Sequence, residues 1–236
     1  NGEPLKNCDD LSRLLSSEQQ DRICFKPVEG WAGRMFDMVD IISQGDELKF
    51  RRPGDQTILD ISGFCRTLHG DKKTGGLLIE TYLQQHPDLA AFNPSSVNTF
   101  RIWVIQTRNG ESRTVLAYLR IGRAGSLVDN QSSGGIVAPI DLESGVTGCA
   151  MDGLPTRELF PTHPDHGAAI EGRELPFWYE AKSLAERCLV AFPNLEFAGM
   201  DIAVTANGPV VVELNASPDR EGAVFTETPT KGIFCR

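Results

Sequence analysis

Two stretches in which apolar and polar residues alternate dominate the hydrophobic pattern of the chain. They cover residues 98–120 and 197–218, and each contains an Asn-Gly pair near its middle, at 109–110 and at 207–208. Alternation with a period of two is typical of strands with one buried face, and an Asn-Gly pair favours the tight turn of a hairpin. The pattern therefore predicts two β-hairpins.

Helical periodicity is found in two segments. Leucines predict a short helix within 9–20, and a longer helix is predicted over 177–192. The buried side chains predicted for the longer helix are Tyr179, Leu184, Ala185, Cys188 and Leu189. Apolar runs at 22–27 and 76–83 predict further strands. Many antiparallel strands with few helices predict an α+β fold with two lobes.

The composition is that of an ordinary globular protein. The chain has 236 residues, of which 40% are hydrophobic and 23% charged, and its formal net charge is −9. A protein with this charge is a poor partner for nucleic acid or an anionic membrane surface. No apolar run approaches the ~20 residues that span a bilayer. We therefore expect no nucleic-acid partner and no membrane insertion, and the sequence does not indicate an oligomeric state.

The cysteines are scattered along the chain without a Cys-x-x-Cys pair. They are Cys8, Cys24, Cys65, Cys149, Cys188 and Cys235. Scattered cysteines of this kind are typical of buried, reduced thiols and not of a disulfide scaffold or a zinc site. Reduced thiols are the usual state in the cytosol. The chain is therefore predicted to be cytoplasmic.

The distal hairpin carries a candidate metal site. An odd-length loop centred on Asn207 places Asp201 directly opposite Glu213, with Asn215 one diagonal step away on the same face. Opposed carboxylates repel each other unless a cation lies between them, and oxygen ligands of this kind suit Mg²⁺. Three structural alternatives stay open: Asp201 caps a local turn, Glu213 pairs with an arginine, or the hairpin is simply an edge of the sheet.

Cationic side chains in or near predicted strands suit phosphate binding. Lys26 ends a strand just before a small loop with Gly-x-x-Gly spacing, which is not the spacing of a P-loop. Arg101, Arg120 and Arg123 lie in strands or at a strand end, where a guanidinium needs an anionic partner. These three arginines are therefore candidate phosphate clamps.

Three of the candidate polar sites have a structural alternative, and for Lys26 it is a surface lysine before an ordinary turn. Arg123 has acidic residues with which it would form a salt bridge instead, namely Asp129, Asp141 and Glu143. His163 and His166 lie three residues apart in a proline-containing loop, and a zinc site would need at least one more ligand. We interpret this loop as a substrate-side or structural segment.

Seven short motifs follow one another over nearly the whole chain. They are Phe25-Lys26-Pro27 with its glycine loop, Ile79-Glu80-x-x-Leu83, Val97-Asn-Thr-Phe-Arg101, Leu119-Arg120-Ile-Gly-Arg123, Val128-Asp-Asn130 with Gly134-Gly135, Gly199-Met-Asp201, and Val212-Glu213-Leu-Asn215-Ala-Ser-Pro218. In this order they resemble the ATP-grasp superfamily, most closely its sugar-transfer-associated branch. The resemblance implies an ATP-grasp fold with two lobes, mainly antiparallel sheets and a nucleotide bound between them.

The resemblance also implies roles for individual residues. Nucleotide contacts are implied for Lys26, Gly30, Gly33, Glu80, Thr81, Tyr82, Leu83 and either His86 or Asp88. Mg²⁺ contacts are implied for Asp201, Glu213 and Asn215. Catalytic contacts with the γ-phosphate and an acyl-phosphate are implied for Arg120, Arg101, Arg123 and Asn130. The cofactors implied by these residues are ATP and Mg²⁺.

By the same resemblance, residues 1–79 form a lobe with the lysine and glycine loop, and 80–236 form a lobe with the hinge, arginines and metal site. The substrate domain that usually comes first is missing before Asn1, so we expect the chain to be the core of a longer protein. The implied enzyme joins a small-molecule carboxylate to an amine, in polysaccharide or peptide-conjugate biosynthesis. The alternatives are a phosphotransferase acting on a sugar or polyol hydroxyl, and a nucleotide-binding module without turnover.

Overall fold

The chain divides into two compact units in a computed structural model, Asn1–Tyr82 and Leu83–Arg236. The structure describes residues 4–5, 7–17, 20–29, 36–44, 47–54, 56–68, 76–107, 109–153 and 157–234. The division follows Tyr82, whereas the boundary expected from the sequence follows residue 79. Each unit is built around its own antiparallel sheet.

The sheet of the first unit has five strands. They are β1 (Arg22–Pro27), β2 (Asp37–Gln44), β3 (Glu47–Arg51), β4 (Ile58–Asp60) and β5 (Leu77–Thr81). Their order in the sheet is β4-β3-β2-β1-β5, and every neighbouring pair is antiparallel. The runs predicted as strands at 22–27 and 76–83 are therefore confirmed as β1 and β5.

Two helices of the first unit pack with its sheet around an apolar core. They are α1 (Cys8–Ser17) and α2 (Ile61–Thr67), and α1 confirms the helix predicted within 9–20. Phe64 of α2 stacks on Phe50 of β3 with ring centroids 4.2 Å apart, while Leu11 and Leu15 of α1 are buried. The leucines at helical spacing thus supply one side of this core.

A disulfide joins α1 to α2, which the sequence did not predict. Cys8 and Cys65 are bonded, with Cα atoms 6.2 Å apart and a sequence separation of 57. The expectation of free thiols is therefore wrong for this pair, because only the packing of α1 beside α2 brings the two residues together. Cys24, Cys149 and Cys188 carry free thiols, and Cys235 lies outside the described residues.

The second unit contains a seven-stranded sheet, and its described residues form four α-helices. The strands are β6 (Thr99–Gln106), β7 (Ser112–Ile121), β8 (Ile136–Pro139), β9 (Ala150–Met151), β10 (Leu159–Phe160), β11 (Phe197–Thr205) and β12 (Gly208–Asn215). The helices are α3 (Pro87–Ala90), α4 (Trp178–Val190), α5 (Glu221–Phe225) and α6 (Thr230–Phe234). The sheet order is β10-β9-β8-β7-β6-β11-β12, so both predicted hairpins are confirmed, as β6–β7 and β11–β12.

The hairpin β11–β12 reaches the predicted pairing by a different route. Its turn consists of two residues, 206–207, so the odd-length loop centred on Asn207 is wrong. A β-bulge after Asp201 leaves Val212 as the extra residue on β12, because Asp201 pairs with Glu213 while its neighbour Ile202 pairs with Val211. The bulge thereby restores the opposition of the two carboxylates that the sequence predicted.

Helix α4 covers one face of the second sheet and confirms the helix predicted over 177–192. It contacts β6, β7, β11 and β12, and its buried residues are Trp178, Ala181, Ala185 and Leu189. Tyr179, predicted to be buried, is 64% exposed because Trp178 takes the inward position one residue earlier. None of the helices in the described ranges combines the length and the apolar character of a membrane span.

Candidate functional site

The face of the second sheet opposite α4 carries a row of polar side chains. The register places Glu213 opposite Asp201, Asp201 opposite Arg101, and Arg101 opposite Tyr118. Residues paired across antiparallel strands point to the same face, so strands β12, β11, β6 and β7 bring these four side chains side by side. This row is the centre of the candidate site.

Two arginines share the carboxylate of Asp201. Arg101 donates from Nε to Oδ1 and from Nη2 to Oδ2, the latter at 2.9 Å. Arg120 donates from Nη1 to Oδ2 at 3.0 Å. Asp201 is 4% exposed, so both ion pairs are shielded from water. The structure therefore brings together Arg101, Arg120 and Asp201, three of the residues predicted for the site.

A second buried carboxylate, Asp129, completes the network. Its Oδ1 lies 3.0 Å from Nη2 of Arg120, and its Oδ2 accepts hydrogen bonds from Thr99, at 3.0 Å from the backbone N–H and 2.5 Å from the hydroxyl. From the sequence, Asp129 is a possible partner for Arg123 and part of the Val128-Asp-Asn130 motif, but it is not among the predicted site residues. The motif was the signal available in the sequence, whereas the contacts of Asp129 with Thr99 and Arg120, which pair across β6 and β7, depend on the fold.

The electrostatics of the network keep both guanidiniums charged. Burial acts to lower the pKa of Arg101, but the charge and hydrogen bonds of Asp201 outweigh it and the pKa is raised. Burial likewise opposes the charged form of Arg120, whereas Asp129 and Asp201 raise its pKa overall. Burial raises the pKa of Asp129, and Arg120 and Thr99 offset this only in part. Two cations thus lie beside two carboxylates in a site with little water.

Arg123 is held elsewhere in the second unit. Its Nε donates to Oδ2 of Asp165 at 2.8 Å, its Nη2 donates to Oδ1, and the N–H of Ala124 also reaches Oδ2 at 2.8 Å. Hydrogen bonding to Arg123 holds the pKa of Asp165 well below its usual range. The partner of Arg123 is therefore Asp165, which sequence reasoning missed, and the described contacts do not bring Arg123 to Asp201.

The loop that contains Asp165 is fixed by His163. The Nδ1 atom of His163 accepts the backbone N–H of Asp165 at 3.2 Å, so its Nε2 carries the proton and donates to the carbonyl of Gly122 at 3.0 Å. Burial lowers the pKa of His163, which is 1% exposed. Among the described residues no group of three His, Cys, Asp or Glu side chains is arranged to hold a metal. The contacts of His163 are those of a structural residue.

Asn130 lies next to Asp129 at the start of a short 3₁₀ turn, Gln131–Ser133. Its backbone carbonyl accepts hydrogen bonds from the N–H groups of Ser133 and Gly135. A Cβ atom on Gly135 would lie 2.4 Å from the carbonyl oxygen of Asp129, so glycine allows this close approach. The tight turn therefore fixes the backbone that carries Asp129.

The other two predicted metal ligands are free to take a cation. Glu213 is exposed, and Asn215 has a buried Nδ2 without a hydrogen-bond partner. Pairing of Asn215 with Gly199 puts it two residues along β12 from Glu213, on the same face. An orphaned amide beside a carboxylate pair suits a hard cation, since an amide turned by 180° presents its oxygen as a ligand. The donor set fits Mg²⁺, although Asp201 is engaged by two arginines.

In the first unit, Lys26 and Glu80 form an ion pair. The Lys26 Nζ lies 2.7 Å from Oε2 of Glu80, across the pair β1–β5, and both side chains are partly exposed. The thiol of Cys24 contacts the carbonyl oxygen of Glu80 at 3.6 Å. Next to Glu80, Thr81 is exposed, and the guanidinium of Arg22 lies 5.1 Å from the ring of Tyr82. Lys26 and Glu80, predicted to contact nucleotide, are thus brought together.

Among the described residues, His86 and Leu83 are the remaining ones predicted to contact nucleotide, and their contacts define no ligand role. His86 caps α3, its Nδ1 accepting the N–H of Asp88 at 3.2 Å. Leu83 is half-buried at the start of the second unit. Gly30 and Gly33 lie outside the described residues.

A separate cleft in the second unit has a volume of about 850 Å³. It lies between β7, the end of β8 and the segment that follows α5, and its lining includes Leu116, Pro139, Thr147 and Thr226. The lining contains none of the site residues predicted from the sequence. The polar network therefore does not belong to this cleft.

Two antiparallel sheets and an ordered set of motifs place the chain in the ATP-grasp class. The sequence matches the family described as sugar-transfer associated ATP-grasp over residues 3–229, and the chain belongs to this family. The resemblance expected from the motifs is thereby confirmed. None of the curated proteins matches the sequence.

Several solved structures are similar to the chain at low sequence identity. The biotin carboxylase domain of Hydrogenobacter thermophilus 2-oxoglutarate carboxylase, solved with MgADP, ADP and bicarbonate, is 12% identical, with 92% of this chain and 35% of that chain covered and a TM-score of 0.47. The D-cycloserine synthetase DcsG is 10% identical, with 94% and 59% covered and a TM-score of 0.39. A Chryseobacterium gregarium RiPP-associated ATP-grasp ligase, solved with ADP and peptides, is 10% identical, with 97% and 52% covered and a TM-score of 0.36. The chain thus spans between about a third and three fifths of these proteins.

Proposed function

We propose that this protein is an ATP- and Mg²⁺-dependent ligase that joins a carboxylate to an amine through an acyl-phosphate. The observation that carries the proposal is the shared-carboxylate network, in which Arg101 and Arg120 meet at Asp201 beside Glu213. Guanidinium pairs suit phosphate oxygens, and carboxylates next to them suit the metal that accompanies a nucleotide. Membership of the ATP-grasp family supports the same assignment.

The proposed reaction has two displacement steps. An oxygen of the substrate carboxylate attacks the γ-phosphorus of ATP and ADP leaves, which gives the acyl-phosphate. The amine nitrogen then attacks the acyl carbon, inorganic phosphate leaves, and the nitrogen loses a proton. Neither step uses a protein nucleophile, so the residues contribute positioning and charge neutralisation.

Each predicted residue has a place in this proposal. Arg120 and Arg101 would bind the transferred phosphoryl group, with Asn130 on the neighbouring turn and Arg123 in a supporting position. Lys26, Gly30 and Gly33 would contact the triphosphate, and the segment from Glu80 to Leu83, with Thr81 and Tyr82, would hold adenine; His86 would contact ribose. Asp201, Glu213 and Asn215 would hold Mg²⁺, which when bound adds positive charge beside the phosphate oxygens.

Product analysis tests the reaction type. The protein is incubated with Mg-ATP and a panel of small carboxylates and amines, and nucleotide products are separated by chromatography. We expect ADP and inorganic phosphate, formed only when both a carboxylate and an amine are present. AMP as the only nucleotide product would contradict the acyl-phosphate route, and a phosphorylated sugar or polyol formed without amine would indicate a phosphotransferase.

A further inference from the structure

Asp201 has two competing sets of partners, the two arginines and the proposed Mg²⁺ ion. Its carboxylate is held by Arg101 and Arg120, and the residue is 4% exposed. In the proposed function the same carboxylate holds Mg²⁺ together with Glu213 and Asn215. A divalent cation that takes Asp201 leaves the two guanidiniums with one carboxylate, Asp129, so their charges are no longer balanced and they repel the cation. The two uses of Asp201 therefore oppose each other unless negative charge is added.

A phosphate group supplies that negative charge. Guanidinium N–H groups bind phosphate oxygens in the same two-bond arrangement in which they bind a carboxylate. We propose that Arg101 and Arg120 couple the metal to the nucleotide: Asp201 takes a divalent cation tightly only after a nucleotide phosphate has replaced it on the arginines. This inference rests on the proposed function and adds to it a control on the order in which the ligands bind.

The two arginines are not equivalent in this exchange. Arg120 has a second carboxylate, Asp129, which is itself held by two hydrogen bonds from Thr99, so Arg120 keeps an ion pair when Asp201 leaves. Both ion-pair bonds of Arg101 go to Asp201, and within the described residues no other carboxylate forms an ion pair with it. Arg101 is therefore the side chain that competes most directly with the cation.

Thermodynamic linkage makes the coupling measurable. A nucleotide that raises the affinity for the cation must gain the same factor in its own affinity when the cation is present. Couplings between two sites typically amount to about 5- to 150-fold. We expect the protein to bind Mn²⁺, a spectroscopic substitute for Mg²⁺, at least about tenfold more tightly with a nucleotide than without one.

Titration of the full chain with Mn²⁺ tests the coupling, with free Mn²⁺ measured by electron paramagnetic resonance. Each protein is titrated alone and with saturating adenylyl imidodiphosphate, a non-hydrolysable ATP analogue, and the Mn²⁺ that the same nucleotide binds without protein is measured separately and subtracted. In Arg101→Met the guanidinium is removed and much of the apolar stem is kept, so Mn²⁺ alone should bind about tenfold more tightly than to the unmodified protein. The effect of the nucleotide on Mn²⁺ binding should shrink by the same factor.

Two further variants keep the test decisive. Arg101→Lys preserves the charge but replaces the two-bond fork with one ammonium group, so it should lie between the unmodified protein and Arg101→Met. Arg101→Lys also disturbs the buried network less, so it provides the test if Arg101→Met does not fold. Arg113→Met removes an exposed arginine from the same sheet, on β7, and should behave as the unmodified protein does.

The outcomes separate the coupling from the proposed function. If the unmodified protein binds Mn²⁺ equally well with and without the nucleotide, or if both Arg101 variants bind Mn²⁺ alone no better than Arg113→Met, the coupling is overturned while nucleotide binding still stands. If the unmodified protein does not bind the nucleotide with any divalent cation, the proposed function is overturned and the coupling with it.

Discussion

At the scale of single residues, the site is defined by which polar groups have partners. Asp201 is surrounded by donors from two arginines, whereas Glu213, its cross-strand neighbour, is exposed. Asn215 has a buried amide nitrogen without a partner. A buried polar group without a partner is costly, and we propose that at Asn215 a cation held together with Glu213 offsets this cost.

Substitution of Glu213 tests this interpretation. We expect Glu213→Gln to lose most of the metal-dependent binding of ATP, because the amide keeps the size of the side chain but not its charge. Calorimetric titration with Mg-ATP measures the loss. Because Glu213 is exposed, the free energy of unfolding should change by less than about 0.5 kcal/mol.

A matched variant provides the control for Glu213. Glu111→Gln makes the same change at another exposed position of the second unit and should leave Mg-ATP affinity unaltered. Unchanged affinity in Glu213→Gln as well would refute the metal role of Glu213.

At the scale of elements, several polar contacts join two loops of the second unit. The loop with His163 and Asp165 binds the segment after β7, through the carbonyl of Gly122 and the side chain of Arg123. This explains why Arg123, on a strand-end motif with Arg120, is not part of the network around Asp201. Arg123 lies two residues after the end of β7, and its guanidinium binds Asp165 of the neighbouring loop.

Acid should weaken the second unit through His163. The pKa of this imidazole is lowered in the folded protein, so below about pH 6.5 the unfolded chain binds a proton that the folded chain does not. The contribution of neutral His163 to the free energy of unfolding is therefore fully present above about pH 6.5. It is lost as the pH falls from there to the lower pKa of the folded state. Urea unfolding at a series of pH values between about 5 and 8 measures this slope.

The comparison for His163 is the variant His163→Gln, whose amide can still donate to the Gly122 carbonyl but does not titrate. Its unfolding free energy should vary less with pH in the same range. The lowered pKa of Asp165 acts only below its ordinary value of 3.8, so it does not interfere in this range. Parallel pH profiles of both proteins would show that His163 is not the group responsible.

At the scale of the whole molecule, the chain consists of two units with different means of stabilisation. The first unit is small and carries the bond between Cys8 and Cys65, whereas the second is built around a seven-stranded sheet with α4 over one face. A small unit buries a smaller fraction of its apolar surface, so a covalent link contributes more to its stability.

Reduction of the disulfide should destabilise the first unit selectively. The bond closes a loop of 57 residues, and loop-closure entropy for that length corresponds to about 4 kcal/mol. Hydrogen exchange followed by mass spectrometry should show faster exchange in β1 and β3 after reduction, with β6 and β7 unchanged. The double variant Cys8→Ser and Cys65→Ser should not respond to reductant, and equal loss of protection in both units would contradict the prediction.

The sequence by itself determined the local architecture. Alternation and Asn-Gly pairs were sufficient for both hairpins, and the opposition of Asp201 and Glu213 was correctly predicted even though the turn was not. The motifs were sufficient to indicate the family. The hairpins depend on neighbouring residues, because backbone geometry fixes which side chains share a face, whereas the family follows from the order of the motifs along the chain.

Only the tertiary structure decided which partners the charged residues have. Arg101 and Asp201 are 100 residues apart, and Arg120 and Asp201 are 81 apart, so their pairing depends on the order of strands in the sheet. The bond between Cys8 and Cys65 depends on helix packing in the same way. Periodicity predicts the face to which a side chain points. Any strand or helix with suitable side chains could supply its partner on that face. Packing of the whole unit determines which of them does so.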